Sequence, residues 1–212
     1  MPSDNRATLY LIRHGATASN ERIPPILQGS GVDSELSELG RRQAESTGKL
    51  LQNIRLDAVF SSPMARAVAT AKAIAASHGL SVSAIENLHE INVGRWEGLD
   101  WGTISDRTPE EYRRFMEDSG THGYLGGESY QDVLDRVLPR IEQLIAENEG
   151  REIAVVAHKA VNRSLLAHLL GLEMGRAKDL PQDNCCVNVI TSRGGKLKLA
   201  TMNSALHLAS YP

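Results

Sequence analysis

The feature that most constrains the fold is an unbroken run of five apolar residues, Ile153 to Ala157. A strand without polar alternation has both faces buried, which is typical of a central strand in a parallel sheet covered by helices. Shorter apolar segments bounded by polar residues or glycine predict the other strands. These lie near Thr8–Ile12, Asp57–Phe60, Ser81–Ile85, Val187–Thr191 and Lys196–Met202.

Helical segments alternate with these strands. Ser37 is placed to cap a helix that ends near Leu51, and Gly79 is placed to close a helix that begins at Ala65. Further helices are predicted from about 108, from 129 to 148, and from 158 to 171. This alternation predicts an α/β fold with three layers, in which a doubly wound, mostly parallel sheet has helices on both faces.

The chain of 212 residues contains no repeat or linker, so a single domain over residues 1–212 is expected. The segment from about 87 to 127 interrupts the alternation of strands and helices. It contains both tryptophans, Trp96 and Trp101. We predict that it forms a lid over the strand ends.

Composition restricts the partners. A net charge of −3 gives no indication of a nucleic-acid or anionic-membrane partner, and no apolar stretch is long enough to cross a bilayer. The cysteines, Cys185 and Cys186, are adjacent and cannot form an ordinary loop-closing disulfide. With no apolar leader run, this predicts a cytoplasmic protein. The oligomeric state stays open, with a homodimer among the alternatives.

Cationic side chains and histidines follow three of the predicted strands. Arg13 and His14 come directly after the first strand, Arg66 lies in the helical turn after the second, and His158 follows the apolar run. Ligands of open α/β sheets bind at the carboxyl ends of strands, where helix N-termini attract phosphate. The pattern favours an anion site with nucleophilic or acid–base chemistry. Taken without the other residues, Arg13 and His14 have a structural alternative to this site: Arg13 would form an ion pair, and His14 would be a half-buried imidazole.

In this order and spacing the chain resembles the phosphatase branch of the histidine phosphatase superfamily, also called the phosphoglycerate-mutase-like group. The resemblance covers nearly the whole chain. The matching segments are Arg13-His14-Gly15 with Thr17 and Asn20, Gln28-Gly29, Leu36-Ser37 with Gly40, Ser62-Pro63 with Arg66, Glu90 with Trp96-Glu97-Gly98, Gly126-Gly127-Glu128-Ser129, and His158.

The resemblance implies a phosphatase that hydrolyses small soluble phosphate monoesters through a phosphohistidine on His14, with Glu90 as the general acid. Arginines suit phosphoryl oxygens, and a positioned acid contributes on the order of 10²–10⁴ in rate when the leaving group is an alkoxide. The phosphoryl oxygens would be bound by Arg13, Arg66 and His158, assisted by Asn20. No cofactor or metal is expected, since the sequence has no metal-ligand spacing.

Two further residues are candidates for substrate binding. Gln28 either contacts the substrate or braces its loop. Lys159 follows His158 where the family often has glycine. We expect Lys159 to influence substrate choice by contacting a second anionic group, or else to extend into solvent.

Two other functions remain as alternatives. A phosphoglycerate mutase would use the same phosphohistidine, and a non-catalytic phosphate-binding module would keep the fold alone. The short predicted lid favours hydrolysis over the mutase reaction. The physiological substrate is not named by the sequence.

Overall fold

In the computed structural model, which describes residues 6–209, the six predicted strands form one sheet. They are β1 (Arg6–Arg13), β2 (Ala58–Ser61), β3 (Val82–Ala84), β4 (Glu152–Ala157), β5 (Val187–Arg193) and β6 (Lys196–Ser204). Their order across the sheet is β3-β2-β4-β1-β5-β6. The first four are parallel, and β5 and β6 form an antiparallel pair beside β1. The predicted mostly parallel α/β sheet is confirmed.

The strand β4 lies between β2 and β1, and its residues Ile153 to Ala157 are all fully buried. Successive side chains of a strand point to opposite faces. Accordingly, Ile153 and Val155 belong to one apolar cluster, and Ala154 and Val156 belong to another. The unbroken apolar run therefore reflects a strand covered on both faces, as the sequence predicted.

Helices supply the two outer layers. They are α1 (Ala18–Glu21), α2 (Glu38–Leu51), α3 (Ala65–Ala76), α4 (Trp101–Arg107), α5 (Pro109–Glu117), α6 (Tyr130–Glu147) and α7 (Lys159–Leu169). The helices α6 and α7 pack on the sheet face that carries Ile153, and α3 packs on the opposite face. The hydroxyl of Ser37 accepts a hydrogen bond from the Gly40 N–H at 3.0 Å, so Ser37 caps α2 as predicted.

The segment predicted as a lid folds around Trp96, which is buried. The indole ring of Trp96 makes edge contacts with Trp101, Phe115 and Tyr124, at centroid distances of 6.2, 5.6 and 5.8 Å. Such contacts hold α4 and α5 together. We call the rings of Trp101, Tyr112, Phe115 and Tyr124, which contact one another, the aromatic wall. Closure of this segment over the strand ends stays a prediction. Within residues 6–209, no helix is both long and apolar enough to cross a membrane.

Candidate active site

The carboxyl ends of β1 and β4 bring the two predicted histidines side by side. Arg13 pairs with Ala157 at the last position of the ladder, so His14 and His158 are the next residues of neighbouring strands. The backbone N–H of His14 donates to the Ala157 carbonyl at 3.0 Å. The two imidazole centroids are 5.2 Å apart, and both side chains are buried.

The imidazole of His14 is held in one tautomer. Its Nδ1 lies 2.7 Å from the carbonyl oxygen of Gly15. A carbonyl only accepts, so Nδ1 carries the proton and Nε2 presents its lone pair. Burial, reinforced by the charges of Arg13 and Arg66, holds the pKa of His14 well below its usual value of 6.5. At neutral pH the ring is therefore uncharged and can act as a nucleophile.

The backbone after His14 approaches α2 closely. A Cβ atom on Gly15 would lie 2.5 Å from the Gly40 carbonyl oxygen, and one on Gly40 would lie 2.0 Å from that of Ala16. Only glycine fits at both positions. This contact fixes the loop whose Gly15 carbonyl sets the His14 tautomer.

His158 is oriented by a serine. Its Nε2 lies 2.7 Å from Ser62 Oγ, while Nδ1 is buried with no hydrogen-bond partner among the described residues. Ser62 Oγ already accepts from the Met64 N–H at 3.3 Å, so its own hydrogen is available to Nε2. In the tautomer in which Ser62 donates to Nε2, Nδ1 carries the ring proton and is a free donor. Burial and the neighbouring His14 and Arg66 hold the pKa of His158 well below 6.5.

Two arginine side chains are buried beside the histidines. Arg13 Nη1 donates to the Gln182 carbonyl at 2.8 Å. Arg66 Nη1 and Nη2 donate to the Val32 and Gly29 carbonyls at 2.9 and 3.2 Å. The Nε of each arginine is buried without a partner among the described residues. Burial lowers the pKa of both guanidinium groups, although arginine keeps its charge in proteins.

Neutral backbone carbonyls accept the hydrogen bonds of these guanidinium groups. The carboxylate of Asp33, 3.8 Å from Arg66 Nη1, is half-exposed. Buried cations with unused donors are favourable only where an anion completes the site. The arrangement can therefore bind a dianionic group such as phosphate.

The carboxylate of Glu90 sits at the N-terminus of α7. Its Oε1 accepts from the N–H groups of Ile91 and Ala160 at 2.9 and 3.2 Å, and its Oε2 accepts from that of Lys159 at 3.1 Å. The side chain of His158, the N-cap residue, makes no cap hydrogen bond, so Glu90 replaces it. An anion is stabilised at a helix N-terminus by free N–H groups and the dipole. Glu90 is thus a carboxylate that is buried yet lines the cavity.

The amides of Asn20 and Gln28 meet at Thr17. Asn20 Oδ1 accepts from the Thr17 N–H at 3.1 Å, and the Thr17 hydroxyl donates to Gln28 Oε1 at 2.7 Å. Gln28 Nε2 is buried without a partner among the described residues. Both amides line the cavity. Gln28 therefore braces its loop and also has a donor left for a ligand.

Lys159 is half-buried and lines the same cavity. Burial, followed by the charges of Arg163 and Arg13, lowers the pKa of Lys159 from 10.5 to about 8, against the opposing effect of Glu90 and Asp183. Charged groups of both signs therefore surround Lys159, and its contact with a second anionic group stays a prediction.

A cavity of about 560 Å³ extends from these residues to the aromatic wall. Of the sequence candidates, six line it: Arg13, His14, Asn20, Gln28, Glu90 and Lys159. Arg66 and His158 are buried next to His14 and are not part of the lining. Within residues 6–209, no cluster of three or more His, Cys, Asp or Glu side chains is arranged to hold a metal ion.

Sequence reasoning missed several site residues. The sequence indicates Ser62 only as part of a motif and gives no role to Arg163. It also gives no role to four aromatic residues of the lining, Tyr112, Phe115, Tyr124 and Tyr130. The spacing of Lys159 and Arg163, four residues apart in one helix, was the signal that could have found the arginine.

The family described as histidine phosphatase superfamily (branch 1) matches residues 9–205. Phosphoserine phosphatase 1 of Hydrogenobacter thermophilus is 29% identical over 204 residues, which cover 96% of this chain and 95% of that protein.

Two solved structures are similar over nearly their full length. YhfR of Bacillus stearothermophilus has a TM-score of 0.87 and 29% identity, covering 95% of this chain and 99% of its own. A mycobacterial glucosyl-3-phosphoglycerate phosphatase has a TM-score of 0.83 and 29% identity, covering 94% and 99% respectively.

Proposed function

The chain belongs to the histidine phosphatase superfamily and is a phosphatase, and we propose that it hydrolyses small soluble phosphate monoesters through a phosphohistidine on His14, without a metal ion. The observation that carries this proposal is the His14 tautomer. The proton on Nδ1, held by the Gly15 carbonyl, leaves Nε2 as a neutral nucleophile in a pocket of buried cations.

In the first step, His14 Nε2 attacks phosphorus, the P–N bond forms, and the ester P–O bond breaks. Arg13 and Arg66 stabilise the charge on the equatorial oxygens, and His158 Nδ1–H donates to one of them. Arg66 and His158 are both buried; the His158 ring centre lies 5.2 Å from that of His14, and the charge of Arg66 acts on His14. Glu90 transfers a proton to the departing alkoxide.

In the second step, Glu90 takes a proton from a water molecule, whose oxygen attacks phosphorus. The P–N bond breaks, phosphate leaves, and His14 returns to its starting tautomer. The backbone N–H groups of Lys159 and Ala160 hold the Glu90 carboxyl group in place. Glu90 thus serves as the acid in the first step and as the base in the second.

Arg13 and Arg66 supply the charge stabilisation that a metal ion provides in other phosphotransferases. This supports the proposal that catalysis needs no metal. Hydrolysis rather than mutase chemistry is supported by two of the named relatives, a phosphoserine phosphatase and a glucosyl-3-phosphoglycerate phosphatase. The complete set of Arg13, His14, Arg66, Glu90 and His158 supports catalysis rather than phosphate binding alone.

The cellular setting is part of the same proposal. Both cysteines are free and buried, which agrees with a reducing, cytoplasmic environment. A small-molecule ester is proposed as the partner, rather than nucleic acid or a membrane, and the oligomeric state, including a homodimer, stays open. The single domain is proposed for residues 1–212, of which 1–5 and 210–212 lie outside the described residues.

The decisive experiment traps the intermediate. Brief incubation with a labelled alkyl phosphate and rapid quenching should yield protein-bound phosphate that is labile in acid and stable in alkali. His14→Ala should abolish the adduct and turnover, whereas His168→Ala, on the exposed side of α7, should change neither. Full activity of His14→Ala would refute the mechanism.

Two further measurements define the reaction. Turnover should survive EDTA, and a loss that a divalent ion restores would overturn metal independence. With 3-phosphoglycerate, phosphate release should exceed isomerisation, because a mutase must shield its phosphoenzyme from water. Efficient isomerisation with little free phosphate would favour the mutase.

A further inference from the structure

We propose that the cavity contains a second subsite, in which Lys159 and Arg163 bind an acidic group of the substrate while the aromatic wall binds a flat apolar ring. This names the substrate class, a phosphate monoester whose alcohol part carries both a ring and a carboxylate or second phosphate. It rests on the proposed function only in taking the first subsite as phosphate-binding.

The two cations of the subsite lie on one face of α7. Lys159 is the first residue of the helix and Arg163 follows four residues later, a spacing that places both side chains on the same side. Both line the cavity. No described residue hydrogen-bonds to the Lys159 ammonium or forms an ion pair with it. Arg163 Nε donates to the Leu180 carbonyl at 2.7 Å, and its Nη1 is a long 3.5 Å from the Tyr130 hydroxyl.

The carboxylates that line the cavity are already engaged. Glu90 is held by the backbone donors of α7, and Asp179 pairs with Arg176 at 2.6 Å. Positive charge at a helix N-terminus is itself unfavourable, and Arg13 lies close enough to repel Lys159. Glu90 acts on the Lys159 ammonium in the favourable direction, but this does not outweigh burial and the repulsion by Arg163 and Arg13. A second anion would supply a counter-charge.

Lys178 is the remaining lysine of the lining, and its ammonium is already placed. It donates to the Met116 carbonyl and lies 6.0 Å from the centre of the Phe115 ring. These contacts are both favourable for a cation. Lys159 and Arg163 are therefore the cations available to a ligand.

Apolar and aromatic side chains also line the cavity. Trp101 and Phe115 stack at 5.7 Å with an interplanar angle of 26°, and Tyr124 lies 4.5 Å from Phe115. Ile26 and Leu27 also line the cavity. Flat aromatic surfaces bind apolar rings with favourable geometry.

The size of the cavity also points to a substrate larger than a short-chain ester. A volume of about 560 Å³ lies within the range of roughly 300–1,000 Å³ that holds drug-sized ligands. A phosphoryl group alone would leave the aromatic part of the lining without a contact. A ring in the alcohol part would contact that aromatic lining, and its acidic substituent would contact Lys159 and Arg163 of α7.

The test measures binding of phosphonates, which cannot be hydrolysed, by titration calorimetry at pH 7. The probes are propylphosphonate, 2-carboxyethylphosphonate, benzylphosphonate, and the 3- and 4-carboxybenzylphosphonates. The better carboxybenzyl isomer should bind about tenfold to a hundredfold more tightly than benzylphosphonate, the scale of a hydrogen bond between charged groups. Benzylphosphonate should in turn bind more tightly than propylphosphonate.

Single variants separate the two halves of the subsite. Lys159→Met should remove most of the affinity that the carboxylate adds to benzylphosphonate and should keep the tighter binding of benzylphosphonate over propylphosphonate. Arg163→Met is the second variant that tests the carboxylate-binding half. Tyr112→Leu should reduce the ring preference and keep the gain from the carboxylate. Lys72→Met, an exposed lysine on α3, is the matched control and should change neither.

Equal affinities for benzyl- and carboxybenzylphosphonates, or a carboxylate gain that survives both Lys159→Met and Arg163→Met, would overturn the inference. Failure of the proposed function is distinguishable, because it would show as absent phosphohistidine and absent turnover while phosphonate binding still reports on the subsite. Normal hydrolysis of alkyl phosphates with equal phosphonate affinities would refute the subsite alone.

Discussion

Replacing Lys159 by Met should stabilise the folded protein at neutral pH. Its ammonium is half-buried, and the pKa of Lys159 is lowered from 10.5 to about 8, first by burial and then by the charges of Arg163 and Arg13. Glu90 and Asp183 face the same ammonium and act in the opposite direction without restoring the usual value. The charged form is therefore less favourable in the folded state than in the unfolded chain.

The sign of the pH dependence follows from proton linkage. Because the folded-state pKa of Lys159 is about 8 and the unfolded value is 10.5, the unfolded chain binds more protons between these pH values. Stability of the wild type consequently rises with pH across this window, and the penalty is complete below pH 8. The shift corresponds to at most about 3 kcal/mol at ~1.4 kcal/mol per pKa unit. Solvent screening of a partly exposed group reduces this to about 1–2 kcal/mol.

Methionine keeps the unbranched stem of lysine and removes the charge, so packing is retained. Thermal unfolding at pH 7 should show a gain in Tm of about 2–8 °C, from ~2–4 °C per kcal/mol for a domain of this size. The gain should decline above pH 8 and vanish above 10.5, the folded and unfolded pKa values of Lys159. Lys72→Met should show neither effect. A lower Tm at pH 7, or a gain independent of pH, would refute an unfavourably placed charge.

Three further predictions test the catalytic residues. Glu90→Gln should slow phosphorylation of His14 by alkyl phosphates by about 10²–10⁴ and by activated aryl phosphates much less, and equal losses in the single-turnover phosphorylation rate would contradict the acid role. Ser62→Ala should lower kcat/KM by about 2–10-fold and change the ¹⁵N shifts of His158 to those of the other tautomer, with rescue by Ser62→Thr. Since burial holds the pKa of His14 well below 6.5, a pH titration of the ligand-free protein followed by ¹⁵N NMR should show no protonation of the His14 ring centred at pH 6.5, whereas a midpoint there would indicate a solvated nucleophile.

The central part of the fold could be predicted because its signals are local. The apolar run of β4 requires burial on both faces, and Ser37 marks the start of α2 by its own capping hydrogen bond. The position of β4 between β2 and β1 could not be read from these signals. Strand order depends on how each crossover connection packs, which involves residues far apart in the chain.

The candidate site, like the fold, could be predicted from the sequence only in part. Arg13, His14 and His158 could be placed together because they end parallel strands, whose carboxyl ends meet at one edge. The hydrogen bond between Ser62 and His158 joins residues 96 positions apart, and that between Glu90 and Ala160 joins residues 70 apart. Such pairings depend on the exact distance between elements and leave no periodic signal in the sequence.

The positive charge of the site has two physical consequences that support each other. The guanidinium groups of Arg13 and Arg66 offer unused donors to phosphoryl oxygens, and the same charges help hold the pKa of His14 below 6.5. A protonated imidazole has no lone pair with which to attack, so the cations that attract the substrate also keep the nucleophile ready. Lys159 extends this positive field along α7, and the Tm of Lys159→Met measures what its charge costs in stability. The acidic substrate group proposed for the second subsite would offset that cost.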